Sequence, residues 1–287
     1  MNKFIFIFPI SLCLLNAKTF SQQELDKAIY KFQYDLEFQY DTLRNNNERN
    51  DIVILQVGDL ISKSYSYYTF QADSLKGTPD GDKLARQYRK KAISKAMATG
   101  VKLEKLPFMK GISPFVYKNY PQGQMTVTDN IDRINYKYTD ELQSYDWQIS
   151  DSTKTILGYT CQMAVSDFRG RRWIAWFAQD IPISDGPWKF SGLPGLIMEV
   201  YDSEKHFHFV LVGIAEGLDE PIVFSPVVID YQSFGEYEET TRLDFLKGLA
   251  RYWGMNAAIM NAELGRETFD ESGSNVRHND FMERDYR

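Results

Sequence analysis

Histidine is scarce in this chain of 287 residues: His206, His208 and His278 are the three. On a strand, His206 and His208 would share one face, which is half of a metal site. Cys161, Glu199 or Asp202 would have to complete it, and the ion would then serve a metal-dependent hydrolase. A serine or cysteine nucleophile would need the same two histidines as base, and neither stands beside a recognisable elbow. The sequence has no His-Glu-x-x-His, Gly-x-Ser-x-Gly or Cys-x-x-Cys. Asp180, Asp185 and Glu199 are a carboxylate set of the kind glycoside hydrolysis uses, but next to Gly and Pro they suit turn capping better. Arg169-Gly170-Arg171-Arg172 runs into Trp173 and Trp176, a combination that can hold an anion or a sugar. As a polar hairpin turn, with arginine stems lying over aromatic faces, the same residues are explained more simply. No cofactor motif is present, and none is expected to bind.

The stretch that organises the chain is Gly186-Pro187-Trp188-Lys189-Phe190-Ser191-Gly192-Leu193-Pro194-Gly195-Leu196-Ile197-Met198-Glu199-Val200. Leu193-Pro194-Gly195-Leu196 has the chemistry of a type II turn, with proline at the first central position and glycine at the second. Gly192 punctuates the approach, and Leu196 to Tyr201 then reads as a strand. The segment before the strand is apolar where loops are usually polar, through Trp188, Phe190, Leu193 and Leu196. It either folds inward to plug one end of a β-structure or stands out as an apolar lip for a ligand or partner. It is no phosphate cradle, because proline and bulky side chains interrupt its glycines.

The run GLPGLI, inside GRRWIAWFAQDIPISDGPWKFSGLPGLIMEVYD, resembles the GLPGLI family of secreted Bacteroidetes-type proteins. The likeness is close over Trp173 to Val200, weaker over 28–215, and fails at the C-terminus, where that family often ends in an Asn-Pro-containing segment. It implies export and brings no activity or catalytic residue with it.

The elements that must carry these residues are mostly strands. From Ala28 to Asp41, Tyr30, Phe32, Tyr34, Leu36, Phe38 and Tyr40 alternate with polar residues, the signature of an antiparallel strand wet on one face. Ile52–Val57 and Tyr65–Phe70 read as further strands. Phe115–Tyr117 and Gln124–Thr128 flank a turn at Asn119–Gly123. Asp146–Ile149 and Thr155–Tyr159 straddle Asp151–Lys154, Cys161–Asp167 and Arg172–Ala178 straddle Phe168–Arg171, and Leu196–Tyr201 and Phe207–Gly213 straddle Asp202–Lys205. Asp80–Thr99 is a helix ending before Gly100, with a thin apolar stripe of Leu84, Tyr88, Ala92 and Ala96 among many lysines and arginines. A second helix begins at Thr241-Arg242-Leu243-Asp244, which resembles a capping box, and residues 256–264 can add a further turn or two.

Aromatic residues make up 15% of the chain, which favours strands. Met1-Asn2-Lys3 and the apolar run Phe4–Leu15 have the form of a signal peptide over 1–21, too short for a bilayer anchor, with cleavage after Ala17 or Ser21. Cys13 follows Leu12, where a lipobox needs a small residue. Lys and Arg number 33 against 39 Asp and Glu, and losing Lys3 and Lys18 with the leader leaves 31 against 39. An acidic surface argues against nucleic acid. No later stretch is apolar enough for a membrane helix, and Cys161 remains as a lone, core-type thiol.

The expected fold is mainly β (α+β): one domain over 22–267 built as a large curved antiparallel sheet or incomplete barrel, with a covering helix and a C-terminal helix. A polar, poorly ordered tail follows over 268–287. In plan it is similar to the half-barrels of lipoprotein carriers, an analogy that establishes no function. The expected role is non-enzymatic: an exported, periplasmic or outer-membrane-associated protein of a Gram-negative envelope. It would bind a lipid or other apolar ligand or segment in an aromatic-lined sheet, with Trp173, Trp176, Trp188, Phe190, Leu193 and Leu196 as the binding residues. The alternatives are an envelope interaction protein that docks on an outer-membrane receptor or assembly, and the His206/His208 hydrolase.

Overall fold

The computed structural model describes residues 23–39, 48–78, 80–101, 106, 111–132, 134–142, 145–225, 236–252 and 281–286. The leader with its Cys13, the helical turns expected over 256–264, and His278 lie outside them.

Twelve strands are present among the described residues: β1 (Glu24–Phe38), β2 (Arg49–Val57), β3 (Ser62–Ser66), β4 (Phe115–Lys118), β5 (Gln124–Ile131), β6 (Ile134–Glu141), β7 (Gln148–Ile156), β8 (Tyr159–Phe168), β9 (Arg171–Ala178), β10 (Leu196–Asp202), β11 (Phe207–Val223) and β12 (Glu238–Glu239). They form one open, curved sheet in the order β12-β6-β5-β4-β3-β2-β1-β11-β10-β9-β8-β7. Every pairing is antiparallel except β12 with β6. Two meanders meet where β1 pairs with β11, setting Tyr34, Leu36 and Phe38 opposite Leu211, Phe209 and Phe207.

The alternation of β1 explains the main core. Phe32, Tyr34, Leu36 and Phe38 are buried on one face and join Val53 and Leu55 of β2, Phe207 and Phe209 of β11, and Trp173 and Phe177 of β9 in a single cluster. A smaller cluster of Ile54, Tyr65, Phe115 and Tyr117 forms on the other face of β2 to β4. Helix α1 (Tyr67–Lys76) covers it with Tyr67 and Phe70, and α2 (Gly81–Thr99) packs on α1. Gly100 ends α2 at φ +68, as its sequence position implies. A third helix, α3, spans 242–252. Thr241 Oγ1 accepts the Asp244 N–H at 3.1 Å and donates to its carboxylate at 2.7 Å, so aspartate serves in the cap.

Local expectations fail in three places. The strand expected over Tyr65–Phe70 stops at Ser66, whose Oγ caps α1 by accepting the Thr69 N–H at 3.1 Å. Asp151–Lys154 makes no hairpin turn and lies in β7, where the register shifts between Ile149 and Thr153. The turn comes later at Leu157-Gly158, with φ of +50 and +85, because a type I′ hairpin turn needs positive φ at both central positions and glycine supplies one freely. The poorly ordered tail does not hold for 281–286: Phe281, Met282 and Glu283 are buried. Arg171 donates twice to the Phe281 carbonyl at 3.0 and 2.8 Å, and the Arg284 N–H bonds the Arg169 carbonyl at 2.7 Å.

Candidate functional site

The connection between β9 and β10, residues 179–195, turns inward as a wedge on the concave face of the sheet. Phe190 packs face to edge against Trp188 at 5.2 Å and against Trp173 at 4.7 Å, and Trp188 lies tilted 6.1 Å from Trp173. Trp188, Phe190, Leu193, Leu196 and Trp173 are all buried, and Trp176 is half-buried on the opposite face of β9. The turn chemistry is tighter than the type II expectation. The Gly195 N–H bonds the Leu193 carbonyl at 2.8 Å, while the Leu196 N–H reaches away to Ile181 at 2.9 Å. Gly195 has φ +155, and a Cβ there would lie 2.2 Å from the Ala178 carbonyl oxygen, so no other residue fits without moving β9.

A wedge inside a core carries backbone groups that need partners. Strands β3 and β4 and the loop before β7 provide them. Just beyond the wedge, the Tyr34 hydroxyl of β1 donates to the Ile197 carbonyl of β10 at 2.8 Å; within it, Ser64 Oγ of β3 accepts the Trp188 N–H at 2.9 Å. That bond holds Trp188 at φ +50, a strained value for a bulky residue. The Tyr145 hydroxyl and Trp147 Nε1 donate to the Lys189 and Ser191 carbonyls at 3.0 and 2.9 Å. From β4, Lys118 Nζ donates to the Gly186 and Phe190 carbonyls, both at 2.7 Å, and pairs with Asp185. Burial pulls the Lys118 ammonium below its ordinary value, and Asp185 partly restores it.

The β6 strand meets the wedge through charge. Lys189, fully buried between Trp188 and Phe190, pairs with Asp140 of β6 at 3.0 Å and with Glu283. Burial alone would depress this ammonium, but Glu283, Tyr138 and Asp140 more than offset that and hold it above the usual lysine value. Arg169 of the β8–β9 turn bonds Asp140 at 2.8 Å, and Arg242 of α3 bonds Glu283 at 2.6 Å and Asp285 at 2.7 Å. Three cations and three carboxylates thus join the wedge, β6, the Arg169 turn, α3 and the C-terminal segment.

The other sequence candidates are held apart. His206 lies just before β11, 3.4 Å from Glu204 and 4.0 Å from Asp202, while Arg171 bonds Asp202 at 2.8 Å and Arg284 pairs with Glu204. His208 bonds Glu199 at 2.9 Å and packs edge-on against Tyr201. The two histidines therefore go to different partners and do not converge. Asp202, Glu204 and His206 are near enough for one ion, but two arginine side chains already pair with that carboxylate group. On the outward face, Glu199 also pairs with Lys154, whose Nζ stands 4.3 Å over the Trp176 ring. Burial raises the Glu199 carboxyl, and the bonds from His208 and Lys154 bring it below the ordinary value. Asp180 is exposed, Asp185 is the partner of Lys118, and Cys161 is a buried thiol whose burial pushes its titration up. A cavity of about 320 Å³ opens where β6 and β12 meet the β4–β5 turn, lined by Tyr120, Phe224, Lys137 and Glu239 among others.

The residues that sequence reasoning missed are charged: Lys118, Lys189, Asp140 and Glu283. Lys189 had a signal, a lone charge between Trp188 and Phe190 inside an apolar run. Asp140 and Glu283 had none, because their partners lie 49 and 94 positions away.

Fold and site together define a mainly β protein built on an open sheet that is filled by its own wedge. Over residues 169–199, from the Arg169 turn through the wedge to Glu199, the chain matches the model of a family described as "Protein of unknown function (Porph_ging)". No curated protein matches it. Among solved structures, it is similar to PNGF-II in a P21 crystal form, at 13% identity and a TM-score of 0.43, covering 78% of this chain and 34% of that one. A C2 form of PNGF-II is similar at 12% identity and 0.43, covering 78% and 33%. The chain spans about a third of the length of the PNGF-II chains it matches.

Proposed function

We propose that this is a non-enzymatic, exported envelope protein of the GLPGLI type, a rigid β scaffold that acts through its outer surfaces. One observation carries the reading: the aromatic-lined hollow is occupied by the chain's own wedge, with Trp188, Phe190, Leu193 and Leu196 buried and its backbone bonded by Ser64 and Lys118. An apolar segment does sit in an aromatic-lined sheet, and the segment is internal. Among the described residues no helix is long and apolar enough to cross a membrane. The leader-like residues 1–21 support export, and the short family match supports a relation to uncharacterised proteins of that kind.

The second reading is a carrier for lipid or another apolar ligand, in which the wedge withdraws and Trp173, Trp188 and Phe190 line the vacated hollow. Native mass spectrometry of protein purified gently from its own envelope separates the two. A bare mass, matching the chain after leader removal, is the expected result. A reproducible, solvent-extractable addition of lipid size would overturn the self-filled reading in favour of the carrier. A metal-sized addition lost on changing His206 and His208 to alanine would replace both with the hydrolase.

A further inference from the structure

Helix α2 buries only Gly81 and Ala96, and it packs on α1. Asp82, Ala85, Ala92 and Ile93 are half-buried, and its other side chains are exposed. That surface is basic, with Lys83, Arg86, Arg89, Lys90, Lys91 and Lys95 against Asp82 alone, in a chain whose acids outnumber its bases. Among the described residues, Lys83, Lys90, Lys91 and Lys95 have no ion-pair partner. Large apolar side chains stand among them: Tyr88 is 75% exposed and Leu84 47%. At 3.6 residues per turn, Leu84, Tyr88, Lys91 and Lys95 form one row along the helix, and Lys83 and Lys90 stand together about a third of a turn round from it.

We propose that α2 is a docking surface for an anionic lipid bilayer. The face is a convex cylinder with charge spread over roughly 18 Å between Lys83 and Lys95. Its apolar members are too few for a groove-binding stripe, which would need anchors at i, i+3, i+4 and i+7. A planar surface of uniform negative charge matches this layout better than a contoured protein patch. Lysines neutralise headgroups there, while Tyr88 and Leu84 reach the interface between headgroups and acyl chains, where tyrosine is favoured. Adsorption of this kind needs no apolar face wide enough for insertion, and it does not depend on the self-filled reading of the sheet.

Co-sedimentation of the full chain with vesicles tests the proposal. Phosphatidylglycerol-rich vesicles at low salt should bind it, pure phosphatidylcholine vesicles should not, and molar salt should release it. Each lysine removed should weaken binding about fivefold, so the combined change of Lys83, Lys90, Lys91 and Lys95 to glutamine should reduce it on the order of several hundredfold. These side chains are exposed, so the variant should melt as wild type does. Tyr88→Ser should lower the plateau that survives at intermediate salt. Absence of binding to the anionic vesicles at low salt would overturn the proposal, as would equal binding to both vesicle types or unchanged binding by the four-lysine variant. Salt-sensitive self-association lost in that variant, with vesicles ignored, would assign the face to the acidic surface of a second copy instead.

Discussion

Lys63 is a buried lysine with no carboxylate in hydrogen-bond reach among the described residues. Its Nζ donates to the Val223 carbonyl at 3.0 Å and to Ser225 Oγ at 2.6 Å. It is surrounded by the rings of Tyr65, Phe70, Phe115 and Tyr117 at 4.9 to 5.6 Å. Burial brings it from 10.5 down to about 7. The unfolded chain therefore binds the extra proton between pH 7 and 10.5, and stability gained from this site rises with pH across that window. Tyr65 and Tyr117 face Lys63, but burial raises both phenols above their ordinary value, so they stay neutral there. Urea denaturation of wild type and Lys63→Met at pH 7 and pH 9 checks this. Wild type should gain stability relative to the variant on going to pH 9, and a pH-independent difference would show that Lys63 titrates normally. Lys189 is the opposite case, since two carboxylates keep its charge in place.

At the scale of elements, the C-terminal segment behaves as part of the core rather than as a tail. It supplies Glu283 to Lys189, the Phe281 carbonyl to Arg171, and Met282 to the main cluster. Deleting residues 281–287 would leave Lys189 with Asp140 as its one carboxylate among the described residues and strip a buried acceptor from Arg171. Breaking one partner of a buried pair costs about 3–5 kcal/mol, before the lost apolar contacts are counted. The truncated chain should thus lose at least that much stability by chemical denaturation. A change below about 1 kcal/mol would mean that the segment only rests on the surface. Helix α2 shows the contrary logic, as an element with good local propensity and little packing, which leaves its face free for another surface.

For the whole molecule, the wedge braces both meanders of the sheet. Ser64 and Lys118 come from one side of the β1–β11 junction, and Trp173 and Phe209 from the other. That junction pairs residues more than 160 positions apart, so local chain preference contributes little to it. Trp188→Ala should cost about 3–5 kcal/mol by the cavity it leaves. Hydrogen exchange should then quicken in β3–β4 and in β9–β10 together. Acceleration confined to 179–195 would show instead that the wedge is a local plug and that the sheet holds its shape without it.

What the sequence determined by itself was whatever depends on near neighbours. Alternation along β1 predicted its buried face, because side chains on a strand change sides at every residue. Asp80 to Gly100 bounded α2 by propensity and a glycine cap, and Thr241 with Asp244 marked the start of α3. The apolar run around Trp188 signalled an unusual loop, without saying whether it faced in or out. Where two local codes competed, the tertiary structure chose: Ser66 capped a helix where strand residues continued, and polar Asp151–Lys154 stayed in a strand whose turn came at Gly158. Charge pairing was decided by the fold alone. Nothing near Lys189 in sequence names Asp140 or Glu283, and nothing in His-x-His reveals that Glu199 and Glu204 separate the two rings. A buried charge takes whichever opposite charge the folded sheet brings within reach, and that depends on long-range register rather than on local pattern.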